Sequence, residues 1–397
     1  MTTVSAIDVN SKRAILWAVM ASAAAVLFFN TMPVFLGVAA DALHLNGEQL
    51  GQLAAAEIGG ICLSATSAVL WIRRVNWRWV SIAGLLVIAL GNLLCMTTEQ
   101  FSQLVTLRFL IGLLGDGVMM AVTYTLFGNV RDTDRAFAYS IVGQTGLGML
   151  GLLLLPHIAS YGGFNAVLIT IAGVPLLLLL CCLWMPSHGT KATAAERTSV
   201  KNVPIKPVAL GLLTLFLWFM GLNAVWTFAE RIGIETGLAQ TEIGLVLSLA
   251  MGTGLLGALV SSWIGDRFGR LWQAPLTFVC HALMALLFSQ YADPLVYMGV
   301  ALFFNFIWNI GLPYMLGLIA SADVGGRYTA LLITFITAGQ VAGSLVGGML
   351  VGDGPVAPAC YFAVATCVAA LVSYWFFRQS LRVSMPEVEG LACVPGH

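Results

Sequence analysis

Residues 103–128 read QLVTLRFLIGLLGDGVMMAVTYTLFG. A helix needs about 20 mainly apolar residues to cross the hydrocarbon core of a bilayer. This run exceeds that length and still holds two ionisable residues, Arg108 and Asp116. It reads as a membrane helix that carries charge. Working outward in both directions, polar breaks mark out twelve such runs, at 14–40, 50–72, 79–97, 103–128, 136–156, 165–185, 207–231, 242–264, 272–291, 295–320, 329–351 and 359–378. Each is continuously apolar and not a ten-residue alternation, which excludes a transmembrane β-barrel. The first run is too long for a signal-peptide core and lacks a small-residue cleavage site before a polar mature domain, so it counts as a helix.

The composition agrees. Of 397 residues, 59% are hydrophobic and only 9% charged, whereas soluble domains are about a quarter Asp, Glu, Lys and Arg. Lys plus Arg and Asp plus Glu number 18 each, so there is no basic field to attract nucleic acid. Placement says more than net charge. With the helices alternating in direction, the side of the N-terminus holds Lys12, Arg13, Arg73, Arg74, Arg78, Arg131, Arg135, Lys191, Arg197, Lys201, Lys206, Arg267, Arg270, Arg327, Arg378 and Arg382, sixteen of the eighteen basic residues. The two others are Arg108, within the fourth span, and Arg231, at the outer end of the seventh. Basic residues collect on the cytoplasmic side. The expectation is an inner-membrane protein with both termini in the cytoplasm.

Seven cysteines, Cys62, Cys95, Cys181, Cys182, Cys280, Cys360 and Cys367, lie in or beside apolar spans, and Cys393 is in the tail. There Cys behaves as a small hydrophobe, and no Cys/His spacing resembles a metal site. No cofactor is expected.

The polar stretch 186–206, PSHGTKATAAERTSVKNVPIK, reads as a cytoplasmic linker. It divides a six-helix bundle at 1–185 from a second at 207–378, with a cytoplasmic tail at 379–397. Sliding one half over the other by 193 residues puts Asn30 on Asn223, Phe35 on Phe228, Arg74 on Arg267 and Trp79 on Trp272; by 196, Arg131 falls on Arg327 and Gly143-Gln144 on Gly339-Gln340. A weak repeat between six-helix halves is the trace of parallel-repeat transporters, which bind substrate near the midplane and rock their halves to alternate access.

Ser262 to Arg270 read SWIGDRFGR, and Leu104, Arg108, Gly112 and Gly115 are spaced as L-x-x-x-R-x-x-x-G with a further glycine. These strings resemble the G-x-L-A-D-R-x-G-R loop and the fourth-helix pattern of the major facilitator superfamily. The resemblance implies an all-α membrane fold of two pseudo-symmetric six-helix bundles. It also implies a gating loop at Asp266, Arg267, Gly269 and Arg270, and a central cavity along the first, fourth, seventh and tenth spans. Two positions depart from the family pattern. Arg73 stands in the first half where Asp266 stands in the second, and the fifth span reads GQTGLGMLG over 143–151, without the proline of the family's drug exchangers. The glycines there, and Gly339, Gly343 and Gly347, read first as close helix packing.

An intramembrane charge costs about 2.5 to 3.5 kcal/mol on insertion scales, so each needs a reason. Arg108 is either a fork for a substrate carboxylate or a structural arginine paired to Glu57. Asp116 and Glu57 are proton-coupling candidates, because a carboxyl withdrawn from water can load and release a proton near neutrality; Glu57 lies near enough to the outer end of its span for water to reach it. Glu230 reads as an outer-edge pair with Arg231, and His281 as a helix contact. Uncharged candidates for lining a substrate pocket are Asn30, Tyr124, Gln144, Asn223, Trp226, Asn305, Trp308, Asn309 and Gln340. Asn223 with Trp226 and Asn305 with Trp308 are each three residues apart on one helix face, which suits a flat aromatic solute. Trp77, Trp79, Trp184 and Trp272 read as interface anchors.

No P-loop is present, so ATP does not drive this chain directly, and no catalytic motif or carboxylate dyad in adjacent helices is evident. The expectation is a monomeric secondary transporter, not an enzyme. Its partners would be a small organic anion, aromatic on the evidence of the tryptophans, and protons for symport. The alternative is proton-driven efflux of a drug or hydrophobic metabolite.

Overall fold

The computed structural model describes residues 8–98, 100–188, 205–265, 267, 271–290, 292–323 and 331–384. The described chain is helical throughout. It divides into two compact units: Met1–His44 with Ala56–Ala195, and Leu45–Ala55 with Glu196–His397.

In unit 1, α1 (Lys12–Ala25) starts where the Ser11 hydroxyl accepts the Ala14 amide, a side-chain N-cap. It breaks at Val26 and resumes as α2 (Leu27–Leu43). Next come α3 (Gly47–Trp71), which belongs to this unit from Ala56 onward, α4 (Trp77–Cys95), capped by Asn76, and α5 (Phe101–Ile111). A five-residue π turn, Gly112–Asp116, joins α5 to α6 (Gly117–Asn129). Helix α7 (Thr133–Leu180) is capped by Asp132 and is interrupted at Gly163, where φ 64 and ψ −160 take the backbone out of the helix. Helix α7 packs on α1, α2 and α4.

In unit 2, α8 (Ile205–Thr227) breaks at Phe228 and continues as the short α9 (Ala229–Glu235). Then follow α10 (Gln240–Ile264), α11 (Gln273–Gln290), α12 (Pro294–Ala322), α13 (Leu332–Val351) and α14 (Ala357–Ser384). Asp293 caps α12 through the amides of Leu295 and Val296, with Pro294 in the first turn, where its missing N–H costs nothing. Helix α8 packs on α13 and α14, α10 on α12, and α11 on both α12 and α14.

Ten helical stretches among the described residues are long and apolar enough to cross a membrane. Dividing α7 at Gly163 and adding the 18-residue α11 accounts for all twelve hydropathy runs. The outward faces are apolar too: Leu63, Val69, Leu70, Leu177, Leu180 and Leu259 are all more than half exposed, as lipid contact requires. Trp79 and Trp272 lie on the surface as interface anchors do, but Trp77 does not. It is buried, and its indole donates to the Ile72 carbonyl, closing the turn between α3 and α4.

Candidate functional site

The charged residues of the membrane spans meet inside unit 1. Helix α3 crosses α5 and the π turn at two glycines: a methyl on Gly60 would overlap the Phe109 carbonyl, and one on Gly112 would overlap the Glu57 carbonyl. With the backbones that close, Glu57 of α3 lies beside Arg108 of α5 and Asp116 of the π turn. The relative exposures of Arg108, Glu57 and Asp116 are 0%, 1% and 3%. Water does not reach Glu57, contrary to its position near the outer end of its span, because the α5 crossing covers it.

Arg108 donates from one terminal nitrogen to Glu57 Oε2 at 3.1 Å and from the other to Asn92 Oδ1 at 2.7 Å and Cys95 Sγ at 3.4 Å. The guanidinium carbon lies 5.2 Å from the Phe35 ring centre and 5.7 Å from that of Phe28, within cation–π range. The arginine is therefore enclosed on the α2 side by aromatic faces and on the α4 side by an amide and a thiol. Paired to Glu57, it takes the arrangement expected of a structural arginine, with its fork closed off from solvent.

Asp116 lies beside Glu57, so two buried carboxyls face the single charge of Arg108. Burying two acids and one base together is costly unless their charges compensate. The sequence showed no carboxylate dyad because Glu57 and Asp116 are 59 residues apart, and only the α3 crossing joins them. Asn92 and Cys95 were missed as well. Their one signal was an asparagine inside an apolar run, which has to find a polar partner.

The uncharged candidates form two groups. In unit 1, Asn30 Nδ2 donates to the Gln144 carbonyl at 3.0 Å, and Gln144 Nε2 donates to the Tyr124 hydroxyl at 3.4 Å and to Ser140 Oγ at 2.8 Å. All three candidates are partly exposed. In unit 2, Asn223 Nδ2 donates to the Gln340 carbonyl at 3.0 Å and to Ser344 Oγ at 2.6 Å, and Ser344 Oγ is 3.0 Å from Thr227 Oγ1. Trp226 and Trp308 meet edge to face at 6.5 Å, and Asn309 Nδ2 donates to the Asn305 carbonyl. Trp226 and Asn305 also line a small cavity with Phe288, Tyr297 and Phe304.

Glu230 pairs with Arg231 at 2.7 Å. His281 is buried, its ring nitrogens 2.9 Å from the Thr277 carbonyl and 3.3 Å from that of Phe304, so it ties α11 to α12. Of the gating-loop residues, Arg267 stacks on Trp263 with its guanidinium carbon 5.1 Å from the ring centre. Asp266, Gly269 and Arg270 lie outside the described residues. Among the described residues no group of His, Cys, Asp and Glu could hold a metal ion.

Against this geometry stand the chain's relatives. The Major Facilitator Superfamily family model matches residues 17–324. The 4-hydroxybenzoate transporter PcaK of Acinetobacter baylyi is 30% identical over 144 residues, 35% of this chain and 30% of that protein. The gallate transporter of Pseudomonas putida is 23% identical over 263 residues, 56% of this chain and 58% of that protein. The chain thus spans between about a third and three-fifths of the length of these relatives. Among solved structures, the nucleoside transporter NupG superposes with a TM-score of 0.73 at 12% identity, over 93% of this chain and 99% of that one. At that identity the likeness speaks for the fold alone.

Proposed function

We propose that this chain, which belongs to the Major Facilitator Superfamily, is a secondary transporter that takes up a small organic anion together with protons by alternating access. The observation that carries the proposal is the burial of Glu57 and Asp116 beside Arg108, which donates to Glu57 at 3.1 Å. With one proton on the two carboxyls the cluster is neutral, and releasing that proton leaves an uncompensated charge that the protein must relieve by rearranging. Asp116 and Glu57 load the proton, and Arg108 is their counter-charge. The substrate is an aromatic acid, a class supported by the names of the two relatives and by the amides and tryptophans of Asn305, Asn309, Trp226 and Trp308. Asn30, Tyr124 and Gln144 of unit 1 and Asn223 and Gln340 of unit 2 are further candidates for polar contact with the substrate. The protein works as a monomer in a bacterial inner membrane with both termini cytoplasmic, its bundles at 1–185 and 207–378, and the loop from Asp266 to Arg270 acts as a gate.

The test is uptake of radiolabelled 4-hydroxybenzoate into vesicles holding the full chain, with and without an imposed inward proton gradient. The gradient should drive accumulation in the wild type, and Asp116→Asn should abolish that accumulation while leaving the vesicle protein content unchanged. If wild-type vesicles gain nothing from the gradient yet extrude the acid when it is reversed, export replaces uptake. If Asp116→Asn accumulates the acid as the wild type does, the carboxyl pair has no part in coupling.

A further inference from the structure

We infer that Asn92 is the positioning residue of the proton site, fixing how much of the Arg108 charge falls on the two carboxyls. This rests on the proton-coupling reading above. Arg108 is buried with one oxygen partner on each terminal nitrogen, Glu57 Oε2 at 3.1 Å and Asn92 Oδ1 at 2.7 Å, and the shorter contact is to the neutral amide. Asn92 is itself held: its Nδ2 donates to the Ile88 carbonyl one turn earlier on α4 at 2.8 Å, which leaves Oδ1 no choice but to face Arg108. Both side chains are at most 1% exposed. Cys95 Sγ, one turn further along α4, takes the remaining contact on the same side.

The α4 face thus draws the guanidinium away from Glu57. The titratable and charged groups that face one another here are Glu57 of α3, Cys95 of α4, Arg108 of α5 and Asp116 of the π turn. Helix α2 contributes only the rings of Phe28 and Phe35. Without the Asn92 oxygen, Arg108 has Glu57 as its one oxygen acceptor among these groups and turns its full charge onto the pair, which then releases its proton more readily. A carboxylate at position 92 does the reverse: it neutralises Arg108 from behind, and the pair holds its proton more firmly. Opposite signs from two substitutions at one position are what a positioning role produces. A merely structural asparagine would lose folded protein in both variants alike, at every pH.

The experiment needs no substrate. The infrared carbonyl band of protonated carboxyl groups is titrated in the purified full chain, with Asp116→Asn to assign the band. Asn92→Leu should lose the band at a pH lower by about one unit, and Asn92→Asp should retain it to a pH higher by a similar amount. The double variant Asn92→Asp with Asp116→Asn separates the new carboxyl's own band from that of the pair. Should Asn92→Leu fail to fold, Asn92→Asp has the same shape and carries the test. Titration of both variants at the wild-type pH overturns the role of Asn92 and leaves the carboxyl pair standing. A wild-type band that Asp116→Asn does not alter overturns the proton site itself.

Discussion

Both units contain the same link at matched repeat positions: an asparagine amide bonded to a glutamine backbone carbonyl, Asn30 to Gln144 and Asn223 to Gln340, each at 3.0 Å. Their surroundings differ. In unit 1 the link is partly exposed, leads through the Gln144 side chain to Tyr124, and shares its bundle with the Arg108, Glu57 and Asp116 cluster. In unit 2 it is buried with Thr227 and Ser344, and α13 lies so near α8 that methyls on Gly339 and Gly343 would overlap the carbonyls of Phe216 and Met220. The glycine of unit 1 matched to Gly339, Gly143, meets the side chain of Val19 instead. Beside that seam runs an aromatic group in which Phe278, Trp218, His281, Phe304 and Trp308 touch in succession. One scaffold has thus been filled with two materials. Unit 1 buries a cluster of two acids and a base inside its bundle, whereas the α8–α13 seam of unit 2 and its surroundings are filled with rings and backbone.

That contrast can be broken most directly by comparing Arg108→Ala with Trp218→Ala. Each should destabilise its bundle by about 3–5 kcal/mol, the first by leaving a buried charge unpaired, the second by emptying a fully buried site. The difference lies in pH. Acid should restore much of the Arg108→Ala loss by neutralising the orphaned pair and leave Trp218→Ala unchanged, as thermal unfolding in detergent across pH would show. Equal recovery in both would mean that unit 1 is not organised around charge.

Smaller effects sharpen the comparison. Gly343→Ala should cost about 1–3 kcal/mol by forcing α13 from α8. Gly146→Ala on α7, where a methyl meets nothing within 4 Å, should stay within about 0.5 kcal/mol. Asn223→Ala strands buried partners and should cost about 1–3 kcal/mol, against about 0.5–1.5 kcal/mol for the partly exposed Asn30→Ala. Denaturation midpoints of the four variants test the ranking.

Much of the fold was written in hydropathy, because lipid allows a spanning chain so few alternatives. The break between the fifth and sixth spans is legible as the Tyr161-Gly162-Gly163 interruption, although the helix runs on to Gly162 before Gly163 turns it. The breaks at Val26 and Phe228 are not legible, since both residues are apolar and the helices resume at once. At the site, the ionisable residues announce themselves because each is costly in an apolar run. Their partners do not. Which of several helices faces Arg108 depends on rotations that hydropathy does not record, so Asn92 was invisible as a ligand of the guanidinium and Glu57 as a neighbour of Asp116. The gating string Asp266 to Arg270 is the reverse case, plain in sequence and largely outside the described structure.

The π turn at Gly112–Asp116 has a consequence for register. There the Gly117 amide reaches back five residues to the Gly112 carbonyl, so the helix holds one residue more than its length calls for. Deleting Leu114 would return the segment to regular α-helical spacing and swing every residue on one side of the deletion by about 100° relative to the other. Arg108 and Asp116 would no longer converge on Glu57. The meeting of the three charges is thus, in the end, a matter of counting: the chain is one residue out of step at the place where its buried acids and base converge.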